Sequence, residues 1–252
     1  MERYAGKVVL VTGSSRGIGS WLAVRFAGEG ADVVVHYFRS AKEARGVAAE
    51  VERLGRRALL VRANLSREEQ IEHLFDQVGE GFGRLDVFVH NAASGRNRPV
   101  SEIDAKGFDW TMNVNTRALL LGAQHASRLM PEEGGAILAL SSFGSERVFP
   151  NYGSVGPSKA AVESLVRYLA VELAERNINA NAISAGAIAT DAHKHFPGIE
   201  EQWAEIERRL PYHRMLTADD VANLALFLCS KEAEMIRGQT IRIDGGLTLP
   251  IP

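Results

Sequence analysis

The chain has almost no cysteine: Cys229 stands alone among 252 residues. No intrachain disulfide and no multi-cysteine metal site can form from it. Its setting in NLALFLCS reads as a packed helix face rather than a reactive thiol. Charge of one sign is also lacking, because 29 basic and 31 acidic residues leave a formal net charge of −2. No bulk positive field exists to hold a nucleic-acid backbone, so nucleic acid is not an expected partner. No apolar run approaches membrane-spanning length, and the opening MERYAGKVVLVTG enters a short strand without the stretch of a signal peptide. A cytoplasmic address with no membrane partner is the default expectation. Internal repeats, low-complexity tracts and Pro/Gly/Ser-rich linkers are missing too, which predicts a single domain over 1–252.

What is present is the balance of a folded soluble protein, with 46% hydrophobic and 24% charged residues and a mean hydropathy of −0.09. Short apolar runs alternate with helix-length amphipathic segments from end to end. KVVLVTG, ADVVVHY, RALLVRAN, LDVFVHNAA, GAILALSS, INANAISAG and QTIRIDGG read as seven strands. Helices are expected from about Ile18, Ala41 and Ser66, between Phe108 and Leu129, from Tyr152 to Arg176, and near Ala218 to Leu228. The runs are rich in Val, Ile, Leu and Ala without polar alternation, as strands buried on both faces require. The expected fold is therefore α/β: one Rossmann-type doubly wound parallel sheet of about seven strands with helices on both faces. The insertion from about Thr190 to Pro211 is long enough to form a lid.

VLVTGSSRGIGSWLAVRFA places Gly13, Gly17 and Gly19 between a buried strand and an amphipathic helix. Glycines there let backbone N–H groups approach a pyrophosphate at the positive end of the helix, which points to dinucleotide binding. An NAD site usually ends its second strand on an acidic residue, whereas VVVHYFRS supplies Arg39 and Ser40, and Arg16 lies within the glycine turn. Two guanidinium groups suit a ribose 2′-phosphate, so NADPH is the expected cofactor. Two solvated surface arginines are the plain alternative.

Thr12-Gly13-Ser14-Ser15-Arg16-Gly17-Ile18-Gly19, His90-Asn91-Ala92-Ala93 and Asn115 together resemble the short-chain dehydrogenase/reductase family over the whole chain. The resemblance implies a catalytic set of Asn115, Ser142 and Lys159. The family's tyrosine stands four positions before its lysine, where this chain has Val155; Tyr152 lies three residues earlier. A Tyr-x6-Lys spacing, SAGAIATDA, DVFVHNAASGRNRPV, DWTMNVN, KHFPG and MIRGQTIRIDGG resemble the enoyl-acyl carrier protein reductase branch, most of all its NADPH-dependent Bacillus type. The implied activity is reduction of the 2,3 double bond of an enoyl thioester in fatty-acid elongation. The resemblance also implies cofactor contacts at Ser15, Ile18, Asn64, Leu65, Asn91, Ala92, Lys159, Gly186, Ile188 and Thr190.

The spacing has a chemical rationale. A ketone takes its proton on the oxygen bonded to the carbon that receives hydride, whereas an enoyl thioester takes hydride at the β-carbon and gathers charge on a more distant oxygen. Three helical residues shift a side chain by about 4.5 Å, and seven keep Tyr152 and Lys159 on one face. Tyr152 is thus expected to stabilise the enolate and Lys159 to hold the nicotinamide ribose. Ser142 either lines the pocket or satisfies local backbone, and Asn115 either supports a water chain or bonds neighbouring backbone. Arg96, Arg98 and Lys194 form either a docking rim for an acidic carrier protein or a solvated edge. His193 and His195 make a poor metal site without an acidic or cysteine cluster, and no metal is expected. Two long helices with apolar residues on more than one face suggest a homo-oligomer, commonly a tetramer in this family. Two other functions stay open: a carbonyl or 3-oxoacyl-acyl carrier protein reductase, and a nucleotide-binding regulator without turnover.

Overall fold

The computed structural model describes residues 2–188 and 199–249. Seven parallel strands form one sheet in the order β3-β2-β1-β4-β5-β6-β7. They are β1 (Val8–Val11), β2 (Asp32–Tyr37), β3 (Ala58–Arg62), β4 (Val87–His90), β5 (Gly135–Ser142), β6 (Ile178–Ala185) and β7 (Thr240–Ile243). The helices are α1 (Gly17–Gly28), α2 (Ala41–Arg53), α3 (Glu68–Phe82), α4 (Ala105–Met112), α5 (Ala118–Leu129), α6 (Val155–Glu172), α7 (Ile199–Arg209) and α8 (Ala218–Leu228).

The unbroken apolar strands leave no polar face, so both sides of the sheet must be covered. Alternate residues of β1 point to opposite layers. Val9 and Val11 join Leu22 and Phe26 of α1 and Val221 and Ala225 of α8; Val8 and Leu10 join Leu74 of α3, Leu119 of α5 and Val166 of α6. Phe26 and Phe88, one in each layer, are fully buried, and burying a side chain of this size stabilises the fold by about 2–3 kcal/mol. The strand order reverses between β1 and β4, and in sheets of this kind a ligand crevice opens at the carboxyl ends of the strands at that point.

Two helical expectations are modified. The segment expected between Phe108 and Leu129 begins at Ala105 and is interrupted by a π turn over Asn113–Arg117; such wide turns gather at functional sites. The helix expected from Tyr152 begins at Val155, with its last turn, Ala174–Arg176, wound as a 3-10 helix. Asn151 adopts a left-handed φ of 64° and ends the preceding turn, which keeps Tyr152 out of the helix. Of the expected lid, α7 covers Ile199–Arg209, while Thr190, His193, Lys194 and His195 lie outside the described residues. Among those described, no helix is long and apolar enough to cross a membrane.

Candidate active site

The crevice at the sheet's carboxyl edge is a cleft of about 1320 Å³ lined by the glycine turn, the ends of β2, β3 and β4, and the loop after β4. A Cβ on Gly19 would stand 2.4 Å from the Asn91 side-chain nitrogen and 2.5 Å from the Gly13 carbonyl oxygen, so no other residue fits there. At Gly17 a Cβ would meet nothing within 4 Å, but φ is +59°; backbone conformation, and not packing, selects that glycine. The result presents the first-turn N–H groups of α1 to the cleft with no acidic side chain in that turn, an arrangement that suits an anion.

Neighbouring strands hold the turn in place. Gly13 N–H donates to His36 Nδ1 at 2.9 Å, which fixes Nε2 as the donor to the Ala63 carbonyl at 3.1 Å. Burial pushes this imidazole down to about 4, so it remains a neutral acceptor at ordinary pH. The Thr12 hydroxyl accepts from both Asn91 N–H and Ala92 N–H at 3.1 Å, and the Asn91 amide donates to the Thr12 and Gly13 carbonyls. Asn91 therefore staples the glycine turn with its side chain. The Asn64 carbonyl oxygen is occupied by Ser66, which leaves the amide nitrogen for the cleft. Ser15, Arg16, Ile18, Arg39, Ser40, Leu65 and Ala92 also line it. Arg16 and Arg39 are exposed, and the Arg39 guanidinium lies 5.3 Å from the Phe38 ring centre.

Tyr152 and Ser142 are neighbours at the end of β5, and Lys159 reaches the same strand end. Burial raises the Tyr152 phenol above its usual range, and the nearby Ser142 hydroxyl opposes that rise. Its ring rests edge-on against Phe149, 5.8 Å away. The Tyr152 carbonyl accepts Gly156 N–H at 2.8 Å, one of the free donors at the start of α6. Lys159 is 5% exposed and donates to the Leu140 carbonyl at 2.7 Å. Desolvation pushes its ammonium down to about 8, with Glu163 acting in the opposite direction.

Asn115 is fully buried. Its side chain accepts Ser94 N–H at 2.8 Å and donates to the Ser94 carbonyl at 3.0 Å and Ser158 Oγ at 2.9 Å, locking the loop after β4 to α6 beside Lys159. Its own carbonyl accepts from His90 Nε2 at 2.9 Å, and burial followed by the Lys159 charge pushes His90 down to about 3. Val155 is also buried. A Cβ on Gly95 would stand 2.3 Å from Val155 Cγ2, so the loop after β4 closes directly over the position four residues before Lys159. Arg98 N–H then donates to the Asn151 carbonyl at 2.9 Å, and Arg98 pairs with Tyr152 as an isolated parallel bridge.

Gly186 N–H donates to the Ile243 carbonyl at 2.8 Å, and a Cβ there would stand 2.8 Å from Asp244 Cβ. Ile188 is buried and bridges to Leu216. Neither residue lines the cleft described above, which covers its glycine-turn half. Sequence reasoning missed His36, Gly95 and Glu163. His36 carried a signal, a histidine two residues before Phe38 in VVVHYF, but its partner Gly13 is distant in sequence.

The family model described as enoyl-(acyl carrier protein) reductase matches residues 13–248. A 1-cyclohexenylcarbonyl-CoA reductase from Streptomyces collinus is 41% identical over 248 residues, covering 98% of this chain and 88% of the relative. The chain belongs to the short-chain dehydrogenase/reductase family. Two solved members of that family agree in fold. One is a short chain dehydrogenase from Burkholderia cenocepacia J2315 in complex with NADP, 36% identical with a TM-score of 0.90 over 97% of this chain and 99% of that one. The other is the angucycline C-6 ketoreductase LanV with bound NADP, 31% identical with a TM-score of 0.91 over 98% of both chains. The family is one of oxidoreductases, and within it the Val155, Tyr152, Lys159 arrangement marks this chain's departure from the usual spacing.

Proposed function

We propose that this member is an NADPH-dependent reductase of the 2,3 double bond of enoyl thioesters, with acyl carrier protein as the carrier in fatty-acid elongation. One observation carries the reading: Val155, sealed under Gly95, fills the position from which the family's tyrosine serves a carbonyl, while Tyr152 stands ahead of the helix near Ser142. The bound nicotinamide would supply hydride to the β-carbon. Tyr152 would donate a hydrogen bond to the thioester oxygen, where charge gathers as the enolate forms, and a proton taken up from solvent at the α-carbon would complete the reduction. Ser142 orients the phenol, and the Lys159 ammonium supplies a positive field and holds ribose hydroxyls. Asn115 acts through its side chain, fixing the loop after β4 against α6.

Arg16, Arg39 and Ser40 would take a 2′-phosphate, a preference supported by the NADP carried by both solved relatives. The exposed apolar side chains Leu120 of α5 and Tyr168 and Val171 of α6 support a homo-oligomer through these helices. Arg96 and Arg98 near the Tyr152 turn support an acidic carrier, although coenzyme A appears in the name of the Streptomyces relative. A second reading, carbonyl or 3-oxoacyl reduction, has support in the nearness of Ser142 to Tyr152 and in the ketoreductase relative.

The test is NADPH oxidation with crotonyl-coenzyme A and crotonyl-acyl carrier protein, repeated with Tyr152→Phe. Loss of the phenol is expected to lower kcat by about 100-fold or more, with NADPH affinity nearly unchanged. Full turnover by Tyr152→Phe, or no oxidation with either thioester, would overturn the reading.

A further inference from the structure

Two consecutive residues at the end of β5 are held by α6, and the turn that follows packs on Tyr152. The Leu140 carbonyl accepts from Lys159, the Ser141 hydroxyl donates to Glu163 Oε1, and a Cβ on Gly144 would stand 2.6 Å from Tyr152 Cε1. The Ser145 hydroxyl donates to the same Glu163 oxygen at 2.6 Å. Glu163 is 8% exposed and lies four residues after Lys159, one turn along the same face of α6. A carboxylate taken from water at this position is costly without partners. Here it grips the 3-10 turn Phe143–Ser145 from both ends, at Ser141 and Ser145.

We propose that Glu163 is a positioning residue: it anchors the turn that packs against the Tyr152 ring, and it sets its carboxylate one helical turn from Lys159 on the same face of α6. The inference rests on the catalytic roles proposed above for Tyr152 and Lys159. The turn is also held by the edge-on contact of Phe143 with Phe149 and by Glu146 N–H and Arg147 N–H, which donate to the Phe143 carbonyl. Within it Ser142 Oγ accepts Gly144 N–H at 3.2 Å, and just beyond it Glu146 pairs with Arg242 of β7. The titratable groups that interact with Lys159 are His90 on β4, held neutral, and Glu163 on α6 itself; β5 offers its backbone carbonyl at Leu140. Glu163 and Lys159 bond the adjacent β5 residues Ser141 and Leu140, so the carboxylate opposes desolvation of the ammonium.

The test is the pH profile of kcat and KM for Glu163→Gln, measured with NADPH and crotonyl-coenzyme A, alongside NADPH binding followed by its fluorescence. Gln keeps an oxygen for the two hydroxyls and removes the charge. The alkaline limb of kcat is expected to move down by roughly 1 pH unit, with NADPH affinity and thioester KM changed less than about twofold. A limb unmoved from wild type overturns the charge role. Ser145→Ala keeps the charge and frees one anchor; kcat is expected to fall about fivefold, the worth of one net hydrogen bond, with the limb in place. An unchanged kcat overturns the anchoring role, and the variant decides it even where Glu163→Gln does not fold. If wild type reduces acetoacetyl-coenzyme A instead of the enoyl thioester, the same profiles on that substrate judge Glu163 separately from the reaction assigned.

Discussion

Replacing Gly95 with alanine tests whether Val155 and the loop after β4 form one unit with Tyr152. The added Cβ would come within 2.3 Å of Val155 Cγ2, against an ordinary carbon contact of about 3.5–4.0 Å. More than an ångström of relief is needed. Val155 is buried at the first turn of α6, and Asn115 ties Ser94 to Ser158, so neither side yields freely. Overpacking of this kind costs about 1–3 kcal/mol, which for a chain of this length lowers Tm by roughly 3–10 °C. Loop displacement passes to Tyr152 through the bond from Arg98 N–H to the Asn151 carbonyl, and a misplacement of about 1 Å costs on the order of 100-fold in turnover. Calorimetry and NADPH oxidation with crotonyl-coenzyme A read the two effects. Adding Val155→Ala removes the offending methyl and should restore much of both, a coupling that a double-mutant cycle isolates. Gly95→Ala with wild-type Tm and kcat would refute the packing argument.

Arg39→Ala or Arg16→Ala should weaken NADPH binding by roughly 10-fold or more, the worth of a charge-assisted hydrogen bond, and leave NADH unchanged; equal losses would contradict a 2′-phosphate role. Lys159→Met should lower turnover by about 100-fold yet raise stability at neutral pH, because the buried ammonium is disfavoured. That gain is present below about pH 8 and fades as pH rises from there towards the unfolded value of about 10.4; urea melts at pH 7 and 10 check it, and a gain that grows with pH would contradict it. His36 and His90 stay neutral in the folded chain, down to about 4 and about 3. The unfolded chain takes those protons from about pH 6.5 downward, so stability should fall by about 1.4 kcal/mol per pH unit for each ring between pH ~6 and ~4. Denaturant melts of a His36→Gln variant should show a shallower slope there than wild type, and an identical slope would contradict the buried neutral ring.

The sheet was legible because its evidence is local. Apolar runs such as Val8–Val11 and Ile178–Ala185 report burial on both faces without reference to partners, and Gly13, Gly17 and Gly19 mark the turn by their own backbone needs. Lys159 and Tyr152 were singled out by the family resemblance and the spacing between them. What spacing could not give was the start of α6: the count from Tyr152 to Lys159 fits two helical turns, but the left-handed Asn151 and the bridge to Arg98 hold Tyr152 outside. The remaining omissions share one cause. His36 meets Gly13, Asn91 meets Thr12, and Gly95 meets Val155 because parallel strands and their loops bring residues 23, 79 and 60 positions apart into contact, and nothing in either local stretch encodes the partner. Asn91, expected as a cofactor contact, lines the cleft and also ties down the glycine turn with its side chain.

Whether a phenol placed before the helix serves a double bond is decided by competition. Crotonyl-coenzyme A and acetoacetyl-coenzyme A at equal concentration, with limiting NADPH and the wild-type protein, should yield butyryl-coenzyme A almost alone. Accumulation of 3-hydroxybutyryl-coenzyme A with crotonyl-coenzyme A left intact would contradict the account.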